Sequence, residues 1–121
     1  MIIQKPKTLY WTHHSRAKMR QYGLSEARVK RVIHSPKRTE EGIAPKTVGM
    51  MQPASTRTLV GRGGPSFKNG KREETWKQEI WVMIQEEKQR RKVISAWRYP
   101  GKTKPREPLP EGILREIREA L

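Results

Sequence analysis

The chain has 121 residues, 27 Lys and Arg against 12 acidic residues, and a formal charge of +15. Such an imbalance costs self-repulsion unless something anionic relieves it, and it attracts nucleic acid or an anionic membrane non-specifically. With no cysteine, a disulfide framework, a thiolate metal site and a thiol nucleophile are excluded. No run approaches the ~18 apolar residues of a membrane span, and residues 1–7 lack the apolar stretch of a signal peptide. The expectation is a single cytoplasmic domain, 1–121, with no membrane association. Apolar residues make up only 33%, but they gather in a few segments, so a modest core is feasible.

In chain order, an extended piece at Thr8 to Trp11 is followed by a predicted helix over 13–22, with Thr12 as its N-cap and Gly23 as its stop. Ser25 caps a second helix over 26–34, in which Val29, Val32 and Ile33 form the core-facing stripe; Ser35 and Pro36 end it. Residues 38–42 and 46–52 read as short or edge strands, with Pro45 and Pro53 as breaks. The stretch GRGGPSFKNGKR at 61–72 is rich in Gly and cations and has almost no apolar residues. Residues 61–75 are therefore expected to form a basic, Gly-rich mobile loop.

Two strands are clearer. In 79–86, Ile80, Val82 and Ile84 alternate with Trp81 and Met83, so both faces are apolar and the strand is central. Residues 93–99 follow after the turn EKQRR as its antiparallel partner. Strict alternation puts Val93, Ser95, Trp97 and Tyr99 on one face and Ile94, Ala96 and Arg98 on the other. A final helix within 107–121 presents Ile113, Leu114, Ile117 and Leu121 on one side. Its tail carries more Glu than Arg, which removes it from the basic surface. The fold class expected is α+β: two N-terminal helices packed on one side of an antiparallel sheet of about four strands, and a C-terminal helix.

Aromatic residues recur beside cations: Tyr10 and Trp11 near Lys7, Trp76 beside Lys77, and Trp97 to Tyr99 before Lys102. Rings that stack bases and cations that follow phosphates are the means by which single strands are held, although Trp81 and Trp97 lie on strands and are expected in the core. Candidate nucleic-acid contacts are Arg57, Arg62, Lys68, Lys71, Arg72, Arg90, Arg91 and Lys102. His14 and Lys18 are four residues apart on one helix face. A neutral His14 could take the proton of a ribose 2′-hydroxyl while Lys18 and Arg98 stabilise the phosphorane-like transition state. Three histidines without metal-site spacing and no Asp give a metal no support. No GxxxxGK[ST] motif is present, so no nucleotide cofactor is indicated, and no cofactor of any kind is expected.

The stretch HSRAKMRQYGLS, from His14 to Ser25, resembles the opening signature of small bacterial domains of the RelE-like class: His14, then Lys18 and Met19, then Gly23, Leu24 and Ser25. KVISAWRY at 92–99 is similar to the closing strand of BrnT-like members. The resemblance implies a barnase-like and RelE-like fold and metal-independent RNA cleavage of toxin type. Catalytic roles would fall to His14, Lys18 and Arg98, with Tyr99 positioning or donating a proton. Lys18 stands where Arg is usual and lacks its bidentate fork. RNA, free or ribosome-bound, is the expected partner, and an acidic antitoxin would cover the Arg98 and Lys18 surface. Two other readings remain open. One is a helix-turn-helix binder presenting Arg28, Lys30 and Arg31 to DNA; the other is a non-catalytic ribosome-associated protein.

Overall fold

A computed structural model of the chain describes residues 7–42, 44–55, 74–104 and 111–120, with short segments between 57 and 72; side chains are described for 7–42, 44–55, 75–104 and 114–119. The fold is α+β. Five strands, β1 (Thr8–Trp11), β2 (Arg38–Glu41), β3 (Thr47–Pro53), β4 (Gln78–Glu86) and β5 (Arg90–Pro100), form one sheet in the order β1-β5-β4-β3-β2. Three helices accompany it: α1 (His13–Tyr22), α2 (Glu26–His34) and α3 (Glu111–Ala120). Within 57–75, Arg57–Thr58 pairs with Glu74–Thr75, Val60–Gly61 with Gly64–Pro65, and Phe67–Lys68 with Lys71–Arg72.

The expected count of four antiparallel strands is corrected to five in a mixed sheet. The extended piece Thr8–Trp11 pairs parallel to β5, Thr8 opposite Arg90 and Trp11 opposite Val93. Because β1 covers only that half of β5, α1 continues along the other half. The Thr12 amide and hydroxyl both donate to the Val93 carbonyl, and the hydroxyl also lies 3.2 Å from that of Ile94. Thr12 Oγ1 accepts from the Ser15 amide at 3.0 Å, the N-cap expected from its type. Gly23 closes α1 at φ 65°, a left-handed conformation that few residues other than Gly adopt cheaply, and Ser25 caps α2 through the Arg28 amide.

Period-two alternation breaks on β5. Between Met83 and Ile84 the register shifts, so that Met83 faces Ser95 while Ile84 faces Val93. This bulge carries an extra residue at Ile94. Val93, Ala96 and the Ile80, Val82 and Ile84 side of β4 therefore pack with Met19, Leu24, Val29, Val32 and Ile33 of the α1–α2 layer. Ile94 and Trp97 join Met51, Trp81, Met83 and Ile117 on the other face. The two N-terminal helices share one side as expected, and α3 lies on the other. A central strand apolar on both faces needs two covers, and Ile117 of α3 supplies part of the second. Trp81 and Trp97 stack within that face, ring centroids 6.1 Å apart and nearly parallel. No helix among the described residues is long and apolar enough to cross a membrane.

Candidate nucleic-acid interface

Charge is distributed unevenly over this frame. At the β4–β5 turn the cations are paired: Lys7 and Arg91 with Glu86, and Arg90 with Glu87, at 2.8 to 3.2 Å. Arg90 also lies over the Tyr10 ring, 4.2 Å from its centroid. Arg16 pairs with Glu26. Arg90 and Arg91, both candidates from sequence, are therefore already engaged by carboxylates.

The opposite end of the sheet, where β3 and β5 finish and β4 starts, is different. Arg28 donates to Gln52 Oε1 at 2.6 Å and to the Pro53 carbonyl at 3.1 Å. Arg98 donates from Nε to the Tyr22 carbonyl at 2.7 Å, so it caps the C-terminus of α1. Burial first, then repulsion from Arg31 and Arg98, holds the Arg28 guanidinium below its ordinary value. Lys30, Arg31 and His34 stand exposed beside them on α2 and line a groove with Ala27, Ser35 and Gln52. Gln52 Nε2 donates to the carbonyls of Arg31 and Ser35, which satisfies the end of α2 and fixes the groove floor. Among the described residues, no carboxylate lies within ion-pair distance of Arg28, Lys30, Arg31, His34 or Arg98.

On the other face of this end lies Glu79, fully buried. Its Oε2 accepts from Trp76 Nε1 at 2.9 Å and the Thr103 amide at 3.2 Å, and its Oε1 from Trp81 Nε1 at 3.0 Å and the Thr103 hydroxyl at 2.6 Å. Arg38 donates to Thr103 Oγ1 at 2.7 Å and to its carbonyl at 2.9 Å, and stacks over Trp81 at 5.0 Å. The carboxylate thereby meets four donors and, through one hydroxyl, a cation. Trp76 is only part-buried, with Lys37 Nζ 5.4 Å and Lys102 Nζ 4.3 Å from its ring centroid.

The four residues nominated for cleavage are not gathered at one point. His14 sits in the first turn of α1, and its Nε2 is buried with no hydrogen-bond partner. Lys18, one turn on, pairs with Glu116 of α3 at 2.7 Å and donates to Gln21 at 3.1 Å. Arg98 is anchored at Tyr22, ~12 Å of helix rise beyond His14. Tyr99 lies on the opposite face of β5 from Arg98, against the Trp81 and Trp97 cluster. It also packs on Gly101, where an added Cβ would come 3.3 Å from its ring at φ +144°. His14 and Lys18 thus remain neighbours, and Arg98 stands apart from them.

Arg57, Arg62, Lys68, Lys71 and Arg72 lie outside the residues whose side chains are described. The segment that holds them joins β3 to β4 at the same end of the sheet as Arg28. Sequence reasoning placed Lys102 among the contacts but missed Lys37 and Glu79. Trp76 was read beside its chain neighbour Lys77, whereas its cations arrive from 39 residues before and 26 after it. Only the residue types Trp and Lys hinted at that grouping. No family model, no curated protein and no solved structure matches this chain.

Proposed function

We propose that this protein binds RNA through the cationic end of its sheet. The observation that carries the reading is the Arg28, Arg31 and Arg98 group, in which like charges sit close enough to repel and no described carboxylate compensates them. A phosphate backbone relieves that repulsion, and the relief is available only to an anion. Filter binding of the purified protein to single-stranded RNA, duplex RNA and duplex DNA across a salt series tests it. Salt-dependent binding with RNA preferred is the expected result. A preference for duplex DNA would move the assignment to the helix-turn-helix reading, with the exposed Lys30 and Arg31 of α2 entering a groove.

Cleavage of that RNA is a second reading, favoured by the unpartnered Nε2 of His14 one turn from Lys18. In it, His14 takes the 2′-hydroxyl proton and Lys18 stabilises the phosphate charge once RNA displaces Glu116, leaving a cyclic phosphate without a metal. The resemblance of residues 14–25 to the RelE-like class and of 92–99 to BrnT-like members supports this chemistry. It also supports an acidic antitoxin as the partner that would pair these cations in the cell. The expected result is cyclic-phosphate ends in EDTA from the wild type and none from His14→Ala, with RNA affinity changed less than about twofold in a variant that keeps every described cation. Equal cleavage by both proteins would remove His14 from the mechanism.

A further inference from the structure

We propose that Trp76 is a stacking platform for an unpaired base of single-stranded RNA, with Lys37 and Lys102 taking the phosphates on either side of it. This rests on the RNA-binding reading and specifies the form of RNA the site selects. Four observations lead to it. First, the indole is held in place: its only polar atom donates to a buried carboxylate that is itself fixed by Trp81 and Thr103. A ring so anchored loses little freedom when a base settles on it. Second, the ring is part-exposed, unlike Trp81 and Trp97, which are buried to within 2% and closed to any ligand.

Third, Lys37, just before β2, and Lys102, two residues after β5, are far apart in the chain and converge on this one ring. A hydrated ammonium over a part-exposed ring is a weak contact and base stacking on tryptophan a stronger one, so a base competes for the π face while the two ammonium groups beside the ring attract its phosphates. Fourth, the platform and the cationic groove lie on the two faces of the same sheet end, linked through β3 and β4. Arg28 binds the Pro53 carbonyl, Pro53 is paired with Glu79, and Glu79 holds Trp76. Lys37 stands three residues beyond His34 of the groove. A single strand rounding this end of the sheet meets the groove cations on one side and the indole on the other. A duplex, whose bases are already stacked, gains only the cations.

The test uses the full chain, a short oligouridylate, an RNA duplex of the same length, and the variants Trp76→Leu, Trp76→Phe and Lys102→Gln. All are first compared with wild type by thermal melting, and Trp76→Phe keeps a stacking ring should the leucine variant fail to fold. Trp76→Leu is expected to weaken oligouridylate binding about tenfold and to leave duplex binding unchanged. Trp76→Phe is expected to retain most of the affinity and to lose the fluorescence quenching that oligouridylate causes in wild type, since the quenched indole is gone. Lys102→Gln should reduce the salt slope by about 0.7, one phosphate contact. Unchanged affinity in Trp76→Leu, or quenching that persists in Trp76→Phe, would overturn the platform while RNA binding stands. A wild type that binds no RNA would overturn the RNA-binding reading itself, and the platform with it.

Discussion

Glu79→Ala is expected to cost about 3–5 kcal/mol of stability, a large part of what a domain of this size has. The side chain is fully buried and accepts four hydrogen bonds. Removing it leaves two indole N–H groups and a backbone amide with no acceptor, each of which costs about 1–3 kcal/mol when buried. The Thr103 hydroxyl can rotate to a new partner; the other donors cannot. Arg38, which donates to Thr103, keeps its own carboxylate partner in Glu40 at 3.0 Å, so the loss falls on the donors around Glu79. Glu79→Gln should be milder than Ala but still destabilising, because its amide NH2 points two donors at donors. Glu41, exposed on β2, gives the control: Glu41→Gln should stay within about 0.5 kcal/mol of wild type. Chemical denaturation measures all three. A midpoint for Glu79→Ala indistinguishable from that of Glu41→Gln would show that the cluster at Glu79 contributes nothing to stability.

That carboxylate also marks the limit of what the chain alone discloses. The first turn of each N-terminal helix was legible because capping is local: Thr12, Gly23 and Ser25 act on residues within five positions of themselves, and their types imply their roles. The α2 stripe Val29, Val32 and Ile33 was legible for the same reason. Sheet order was not. β1 joins β5 across some eighty residues, and nothing in TLYW distinguishes a parallel edge strand from a loose extended segment. The bulge at Ile94 escaped because β5 is apolar on both faces there, so a slip of one residue changes no visible polarity pattern. Arg98 does stand at the end of the Ala96 face, but its capping of α1 through the Tyr22 carbonyl was not legible in the sequence.

For the candidate site the division is similar. His14 and Lys18 share a helix face, and their proximity followed from the 3.6-residue turn. Glu116 on Lys18 did not, since α3 reaches it from the far end of the chain. Lone residue types nominated cations widely, but the six described ion pairs sort them. Arg90 and Arg91 are neutralised, while Lys30 and Arg31 are not. Pairing is a property of the fold, so a count of charges along the sequence could not separate the engaged cations from those left to meet an anion.

The same sorting yields the second large effect. Lys30→Gln with Arg31→Gln should weaken RNA binding roughly 20-fold at 0.1 M salt and flatten the salt slope by about 1.4, two phosphate contacts on a single strand. Folding stability should move the other way or not at all. Both side chains are exposed, the Arg31 carbonyl that Gln52 uses is backbone, and removing the Arg31 charge relieves the repulsion on Arg28. Any gain in melting temperature should shrink as salt screens that repulsion. Arg90→Gln serves as the comparison: it removes one charge from the same total, but from a pair with Glu87 at the other end of the sheet. If binding responded to net charge alone, Arg90→Gln would cost as much per charge as the α2 variant. If it responds to the uncompensated face, Arg90→Gln leaves affinity within about twofold, and the loss of affinity in the α2 variant comes with no loss of fold. Stability and binding would then pull on Arg31 in opposite directions, which is the behaviour of a residue kept for its ligand rather than for its own packing.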